Sequence, residues 1–99
     1  MPRFLIEVPH EPEVVACAKA VRRLLTTGSH FMTHADFGCY DGVHKGWVIV
    51  ELDNKEEARS VLPSDLRPIA TITQLSKFTL EEIDDIIAQH TQPAAGQNS

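Results

Sequence analysis

The sequence predicts an α+β domain with a four-stranded antiparallel sheet, whose elements follow the order strand, helix, strand, strand, helix, strand and a further C-terminal helix. Three observations predict this fold. Residues 3–8 are an apolar run of strand length, residues from about 12 to 26 carry apolar side chains at helical spacing, and Asp41-Gly42 separates two strand-like stretches between His30 and Leu52. A short helix, a strand and a last helix complete the order.

Composition is that of an ordinary globular protein. The chain has 99 residues, of which 42% are hydrophobic and 23% charged, so we expect one core and assign residues 1–90 to one domain. The net charge of -5 disfavours nucleic acid and anionic lipid as partners, and no apolar run approaches a membrane span. Cys17 and Cys39 form no disulfide framework and the N-terminus lacks a signal-peptide pattern, which indicates reduced thiols and a cytoplasmic location.

The first strand and the first helix follow from their periodicity. Phe4, Ile6 and Val8 alternate along residues 3–8 and are expected to face the helices. Pro9 ends the strand, and Pro12 fits the first turn of a helix that extends to about residue 26 and ends at Gly28. The apolar side of that helix is predicted to comprise Val14, Val15, Cys17, Ala18, Val21, Leu24 and Leu25.

Asp41-Gly42 predicts a two-residue hairpin turn, because a type I′ turn needs positive φ at both central positions. With these residues as the loop, the register pairs Asp36 with Trp47, His34 with Ile49, and Met32 with Glu51 on one face. The opposite face is almost wholly apolar and is expected to lie under the helices. It comprises Phe31, Thr33, Ala35, Phe37, Val48, Val50 and Leu52.

The second half of the chain carries two helix-start signals. Asp53 with Glu56, and later Thr79 with Glu82, have the spacing of capping boxes. The first helix would bury Ala58, Val61 and Leu62 and end at Pro63, and residues 69–75 would form an edge strand. The last helix has an apolar stripe of Leu80, Ile83, Ile86 and Ile87. Residues 91–99 have nothing to pack and are predicted to be a disordered tail.

The element order is the split βαβ, or ferredoxin-like, pattern, with the first and third strands predicted to be parallel at the centre of the sheet. This order, an outward apolar face, and the helix start Asp53-Asn54-Lys55-Glu56-Glu57-Ala58 resemble the dimeric α/β-barrel superfamily. The resemblance covers residues 3–88. It implies a homodimer in which two ferredoxin-like chains pack their open sheet faces together, as in muconolactone-isomerase-like proteins, small monooxygenases and metal-responsive proteins. No member's catalytic motif is matched residue by residue.

The open face of the predicted sheet carries the candidate catalytic pair, His34 and Asp36. The two lie two residues apart on one side of a strand, so an Asp carboxylate would orient the imidazole and favour proton transfer near neutral pH. The alternative is that both side chains only keep an edge strand soluble. The candidate ligand-binding residues of the same face are Leu5, Glu7, Met32, Trp47, Ile49 and Glu51.

Glu7 and Glu51 are expected to lie close together, since both fall late in strands predicted to be parallel neighbours. Adjacent carboxylates would raise one pKa and supply a general acid or base, and a weaker alternative is a divalent-metal site formed with His30 or His34. The simpler alternative is interface salt bridging to Arg3, Lys45 or a partner chain. No metal or cofactor is predicted, because His10, His30, His44 and His90 have no recognised ligand spacing and Cys17 and Cys39 are explained as small core residues.

Residues 45–52, Lys-Gly-Trp-Val-Ile-Val-Glu-Leu, resemble the first RNA-contact motif of the RNA-recognition-motif family. The basic-glycine-aromatic opening fits that motif, but only Trp47 could stack a base, and Leu5 stands where a ring is expected on the first strand. With an acidic chain as well, RNA binding is disfavoured.

Two functions remain open from the sequence. The first is binding or turnover of a small, partly apolar organic compound in a pocket on the open face of a homodimer, with His34 and Asp36 as proton-handling groups. The second is a non-catalytic sensor or assembly module, of a metal-responsive kind among others, whose open face is filled by its partner. An enclosed cavity on that face would favour the first.

Overall fold

The computed structural model describes residues 1–27 and 29–91. Within these residues the chain forms four strands and three α-helices, joined in places by short 3₁₀ turns. The strands and helices are β1 (Arg3–Pro9), α1 (Val14–Thr27), β2 (Asp36–Phe37), β3 (Lys45–Glu51), α2 (Lys55–Arg59), β4 (Thr71–Leu75) and α3 (Leu80–Thr91). The 3₁₀ turns are His30–His34, Cys39–Asp41 and Arg67–Ile69. No helix in this part of the chain is long and apolar enough to cross a bilayer.

The sheet has the strand order β2-β3-β1-β4, and every neighbouring pair is antiparallel. This confirms the α+β class, the antiparallel sheet and the central position of β1 and β3, and it is consistent with a ferredoxin-like fold. The predicted parallel pairing of β1 with β3 is wrong. The crossover through α1 makes β1 and β2 run in the same direction, although they are not neighbours. Strand β3 lies between them and runs in the opposite direction, because the chain reverses after β2.

One face of the sheet packs under the helices, as the alternation along β1 predicts. Phe4, Ile6 and Val8 are all essentially inaccessible to solvent. The core that they join is completed by Leu24, Met32, Val48, Val50, Ala58, Val61, Leu62, Ala70 and Ile72. The other face of the sheet is open among the described residues and carries the half-buried Leu5 and Trp47.

The hairpin keeps its predicted register but loses most of its first strand. Asp36 pairs with Trp47, as predicted, but β2 contains two residues, and His30–His34 form a 3₁₀ turn capped by the Ser29 hydroxyl, which accepts a hydrogen bond from the Phe31 N–H. The pairings of His34 with Ile49 and of Met32 with Glu51 do not occur. The tight turn directs Met32 inward, where it is 1% exposed.

The predicted two-residue turn is replaced by a wider one. Residues 39–41 form a 3₁₀ turn, and Gly42 follows in the left-handed region at φ 80°. The Gly38 N–H donates to Lys45 O and the Val43 N–H donates to Gly38 O, so the loop closes at Gly38 and not at Tyr40. Only one of the two central positions of the predicted turn has the positive φ that a type I′ turn requires.

Helix α1 begins two residues later than predicted. The Glu13 carboxylate accepts hydrogen bonds from the N–H groups of Val15 and Ala16, which makes Glu13 the capping residue and leaves Pro12 outside the helix. The buried positions are Cys17 and Leu24, whereas Val14, Val15 and Leu25 are exposed. The predicted stop at Gly28 lies outside the described residues.

Both later helices begin with a side-chain cap. At α2 the cap is Asn54, one residue after the predicted Asp53, and its side chain accepts from the Glu57 N–H. Helix α2 ends at Arg59, before Pro63, and Ala58, Val61 and Leu62 are buried as predicted. At α3 the reciprocal bonds between Thr79 and Glu82 are present.

Helix α3 has no buried side chain, and its apolar residues Leu80, Ile86 and Ile87 are exposed. Of the predicted tail, Thr91 is the last residue of α3. Residues 92–99 lie outside the described part of the chain.

Candidate metal centre

Four potential metal ligands converge at the end of the sheet where β1 stops. His10 follows the last residue of β1, and His44 precedes the first residue of β3. Cys17 lies in the first turn of α1, and Cys39 begins the 3₁₀ turn after β2. The β1–β3 ladder, which pairs Pro9 with Lys45, is extended by a 3.0 Å hydrogen bond from His10 N to His44 O. The ladder therefore holds the two histidines side by side.

Three donor atoms of this four-residue cluster are in contact, and the fourth, from His44, lies nearby. His10 Nε2 lies 3.2 Å from Cys17 Sγ and 3.1 Å from Cys39 Sγ, and the two sulfurs are 3.2 Å apart. One ligand atom from each of His10, Cys17, Cys39 and His44 can be chosen so that all four lie within 4.8 Å of one another. Four segments of the chain thus contribute to a single cluster of N and S atoms.

The cluster differs from a group of exposed surface residues in its burial and in two ring nitrogens that lack hydrogen-bond partners among the described residues. Cys17 is buried, and the other three residues are partly buried. The Nδ1 atoms of His10 and His44 are inaccessible and have no hydrogen-bond partner among the described residues. Buried ring nitrogens without a partner are uncommon and require an explanation. A cation bound at the cluster would be a partner for a ring nitrogen of His44.

The surroundings of His10 and Cys17 favour the neutral forms of these two side chains. Burial, and next the neighbouring His44 ring, lower the pKa of His10, which favours the neutral imidazole that binds metals. The hydrogen bond to Cys39, and then burial, raise the pKa of the Cys17 thiol. Because a metal ligates thiolate, binding here must displace thiol protons.

Two thiolates and two imidazoles are the donor set of closed, tetrahedral zinc sites. With Zn–S bonds of about 2.3 Å and Zn–N bonds of about 2.0–2.1 Å, the edges of such a tetrahedron are about 3.3–3.8 Å. The three separations among His10 Nε2 and the two sulfurs, 3.1–3.2 Å, are somewhat shorter, whereas the 4.8 Å limit for all four donors, which includes His44, is longer. To accommodate the ion, the three contacting atoms would spread by about half an ångström and the His44 ring would come within bonding distance.

Sequence reasoning missed this cluster because its spacing follows no known ligand motif. His10 and Cys17 are seven positions apart, and Cys39 and His44 are five apart, with neither a Cys-x-x-Cys pair nor a His pair on one helix. The signal available was weak: each cysteine has a histidine within seven positions along the chain. Only the pairing of β1 with β3 brings the two Cys/His pairs together.

His10 also borders an open cleft. The cleft has a volume of about 470 Å³ and is lined mainly by apolar side chains, among them Val8, Pro9, Pro12, Leu24 and Ile69. Of the four cluster residues, only His10 lines this cleft.

The structure brings together part of the predicted open-face site. Leu5 pairs with Ile49 and Glu7 pairs with Trp47, and the Trp47 indole N–H donates a 3.0 Å hydrogen bond to Glu7 Oε1. Glu51 pairs with Arg3 at the far end of the same ladder, so the predicted proximity of Glu7 and Glu51 is wrong. The antiparallel direction of β1 and β3 is the reason.

The predicted catalytic pair is not organised on a common strand. His34 is the last residue of a 3₁₀ turn, Asp36 is the first residue of β2, and both side chains are exposed. Within the described chain neither side chain has a hydrogen bond or an ion pair. Met32, predicted on the same face, belongs to the core. A catalytic role for His34 and Asp36 remains a prediction that this geometry does not itself support.

Comparison of the chain with protein-family models, with curated proteins and with solved structures gives no significant match.

Proposed function

We propose that this chain is a non-catalytic, metal-responsive module that binds one Zn²⁺ ion through His10, Cys17, Cys39 and His44. The observation that carries the proposal is the approach of four N and S ligand atoms, from four separate segments, to within 4.8 Å of one another. A cluster of this kind provides every ligand that a tetrahedral zinc ion needs.

The donor set favours zinc and a structural role. Thiolate and imidazole are ligands for zinc and copper, whereas carboxylate, carbonyl and water suit magnesium and calcium. Catalytic zinc sites keep one position open for water or substrate, but here four side chains would supply all four ligands. The ion would therefore act on the conformation of the protein and not on a substrate.

The part of the fold that the ion would control is the connection between β2 and β3. Strand β2 has two residues. The loop that follows it contains the 3₁₀ turn Cys39–Asp41 and continues to His44, the residue before β3. An ion bound here would tie this turn to α1 through Cys17 and to the end of β1 through His10. Because such a site does not exist in the unfolded chain, its binding energy adds to the folding energy.

Metal stoichiometry and ligand variants test the proposal. The reduced protein should bind one Zn²⁺ per chain, measured by elemental analysis after gel filtration, and a chromophoric chelator should compete for it. Cys17→Ser, Cys39→Ser, His10→Ala and His44→Ala should each weaken binding by 100-fold or more, whereas the exposed His34 provides the matched control, His34→Ala. Sub-stoichiometric zinc, or an equal loss in His34→Ala and His44→Ala, would reject the site.

Cobalt substitution tests the predicted coordination directly. Tetrahedral Co²⁺ with two thiolates has intense visible bands and a thiolate charge-transfer band in the near ultraviolet. We expect both in the wild-type protein and a loss of charge-transfer intensity in each cysteine variant. A pale, octahedral-type spectrum would contradict closed Cys₂His₂ coordination.

We also propose homodimerisation through the open sheet face, with a pocket for a small, partly apolar compound as the second candidate function. It is supported by the outward position of Leu5, Trp47 and Ile49, of which Ile49 is 55% exposed, and by the exposed apolar residues of α3. Large apolar patches commonly mark interaction sites, and a symmetric pair would bury one patch against its copy. Glu7, held by Trp47, and Glu51 would be the polar contacts.

Location in the cytoplasm fits both proposals. Both cysteines are free thiols, and a reducing compartment would keep them available as ligands.

A further inference from the structure

We infer that the metal centre is also a thiol redox switch: an intramolecular disulfide between Cys17 and Cys39 and a bound metal ion are mutually exclusive states of the same cluster. This inference rests on the proposed metal function and adds its regulation. It is carried by the position of the two sulfurs, which are 3.2 Å apart and belong to free cysteines.

The observed separation lies between the two states. A disulfide bond is about 2.05 Å long, so the sulfurs would need to approach by about 1.1 Å. A tetrahedral zinc site holds its two sulfurs about 3.8 Å apart, so the ion requires them to separate by about 0.6 Å. Formation of the S–S bond also consumes both thiolates. The oxidised cluster would therefore retain only the two imidazoles as ligands.

The chain offers the pair no competing thiol. Cys17 and Cys39 are the two cysteines of the whole sequence. Cys39 is the more accessible of the two, since Cys17 is 8% exposed, so Cys39 is the sulfur that an oxidant meets first. The Cys17 sulfur is close enough to react with the oxidised Cys39 sulfur and form a disulfide within the same molecule. This reaction limits further oxidation of Cys39.

The oxidant is a peroxide, and the chemistry balances with two electrons. In the metal-free protein the Cys39 sulfur attacks one oxygen of hydrogen peroxide, the O–O bond breaks, and a sulfenic acid and one water form. Cys17 sulfur then attacks the sulfenic sulfur, the S–O bond breaks, and the second water leaves with the thiol proton. In the metal-loaded protein the Zn²⁺ ion with its two thiolates, one hydrogen peroxide and two solvent protons yield the disulfide, two waters and free Zn²⁺, whose charge does not change.

The structural consequence is an exchange of cross-links. The disulfide joins the first turn of α1 to the turn after β2, across 22 positions of the chain, as the metal would. It releases His10 and His44, so the links to the ends of β1 and β3 are lost. Oxidation thus alters the β2–β3 connection while one link to α1 persists.

Peroxide titration of the zinc-loaded protein tests this inference. We expect each equivalent of hydrogen peroxide consumed to release one equivalent of Zn²⁺ to a chromophoric indicator, with the intact mass falling by two hydrogens and two thiols lost to a thiol reagent. Peptide mapping should identify Cys17 linked to Cys39, and a dithiol reductant should restore zinc binding. His34→Ala is the control that should behave as the wild type does.

The outcomes separate the two proposals. If zinc binds but is retained under peroxide, or is released with a sulfinic acid or an intermolecular disulfide, the switch is overturned and the metal function stands. If the reduced protein binds no zinc, the metal function fails and the switch fails with it, whether or not the metal-free protein forms the Cys17–Cys39 disulfide. Release of zinc with an intramolecular disulfide that a reductant reverses supports both.

Discussion

His10 Nε2 lies 3.1 Å from Cys39 Sγ, although 29 positions separate the two residues in the chain. The contact joins the end of the central strand β1 to the turn that follows the edge strand β2. Since neither residue belongs to a strand or an α-helix, the sheet ladder alone does not hold this contact in place. A metal ion shared by these two residues, Cys17 and His44 would.

We predict that zinc stabilises the folded protein. A ligand present at 100 times its dissociation constant stabilises by about 2.7 kcal/mol, which for a domain of this size raises the melting temperature by about 10 °C or more. Thermal denaturation with zinc and with excess chelator measures the difference. His44→Ala should melt at one temperature under both conditions, whereas His34→Ala should retain the full difference. A chelator-insensitive wild type would contradict the prediction.

We predict that zinc affinity falls as the pH falls. The pKa of Cys17 is raised above its ordinary value of 9.0, so at neutral pH the ion must displace thiol protons. Each unit of pH decrease should then lower the apparent affinity by roughly 10- to 100-fold, depending on whether one or two protons are displaced. Competition titrations at pH 6, 7 and 8, with proton release followed in weak buffer, measure this slope. A pH-independent affinity would exclude thiolate ligation.

Gly46→Ala should destabilise the hairpin. A Cβ atom at Gly46 would lie 2.8 Å from Cε1 of Phe37, its partner across the β2–β3 pair. Overpacking of this kind costs about 1–3 kcal/mol, which urea denaturation can measure. Replacement of Phe37 by Leu in the Gly46→Ala background should recover part of the loss, because the smaller side chain removes the clash.

Gly42→Ala is the matched comparison for Gly46→Ala. Gly42 has a φ of 80° and no heavy atom within 4 Å of an added Cβ, so any loss there is conformational and not steric. We expect about 1–2 kcal/mol, with no recovery when Phe37 is replaced. Recovery by the Phe37 substitution in both glycine variants would show that the steric explanation is wrong.

Substitution of Trp47 and Ile49 by Asp should yield monomers if the open face forms the dimer. The two side chains lie on the face that the helices leave uncovered, so charges there would remain unpaired at a symmetric interface. Sedimentation velocity at micromolar concentration measures the assembly state. Ala18→Asp, an exposed change on α1, should leave the dimer intact. A wild-type protein that sediments as a monomer would reject the assembly.

The start of α3 should depend on pH through Glu82. Hydrogen bonds to Thr79, first to its backbone N–H and then to its side chain, lower the pKa of Glu82 from its ordinary value of 4.5. The carboxylate therefore stabilises the helix start above pH 4.5, and this contribution is lost as the pH falls through the lowered pKa. An NMR titration of the Glu82 carboxyl carbon reports it directly.

Thr79→Ala provides the comparison for that titration. It removes the hydroxyl that caps α3, so the pKa of Glu82 should rise part of the way towards 4.5, and α3 should lose about 1 kcal/mol of helix stability. Amide exchange of α3 measures the second effect. Identical titration midpoints for Glu82 in the two proteins would contradict the capping-box explanation.

The local elements of this fold were predictable from sequence because each depends on neighbouring residues. Alternation of Phe4, Ile6 and Val8 identified β1 and its buried face, and the spacing of Thr79 and Glu82 located the start of α3 to the residue. Asp41-Gly42 predicts a tighter turn than the one observed, yet its register correctly places Asp36 opposite Trp47. These features follow from backbone sterics and short-range hydrogen bonds, which a stretch of about ten residues contains in full.

Other features needed the tertiary structure. Residues 30–34 alternate in a way that fits a strand, but a 3₁₀ turn carries Met32 into the core and removes His34 from the open face. The direction of β3 relative to β1 separated Glu7 from Glu51, and the same pairing placed His10 beside His44. Because the four cluster residues come from segments that meet only after the sheet is assembled, no local pattern could reveal them. Local sequence is enough to predict most of the elements and their order, whereas long-range strand pairing decides which side chains share a site.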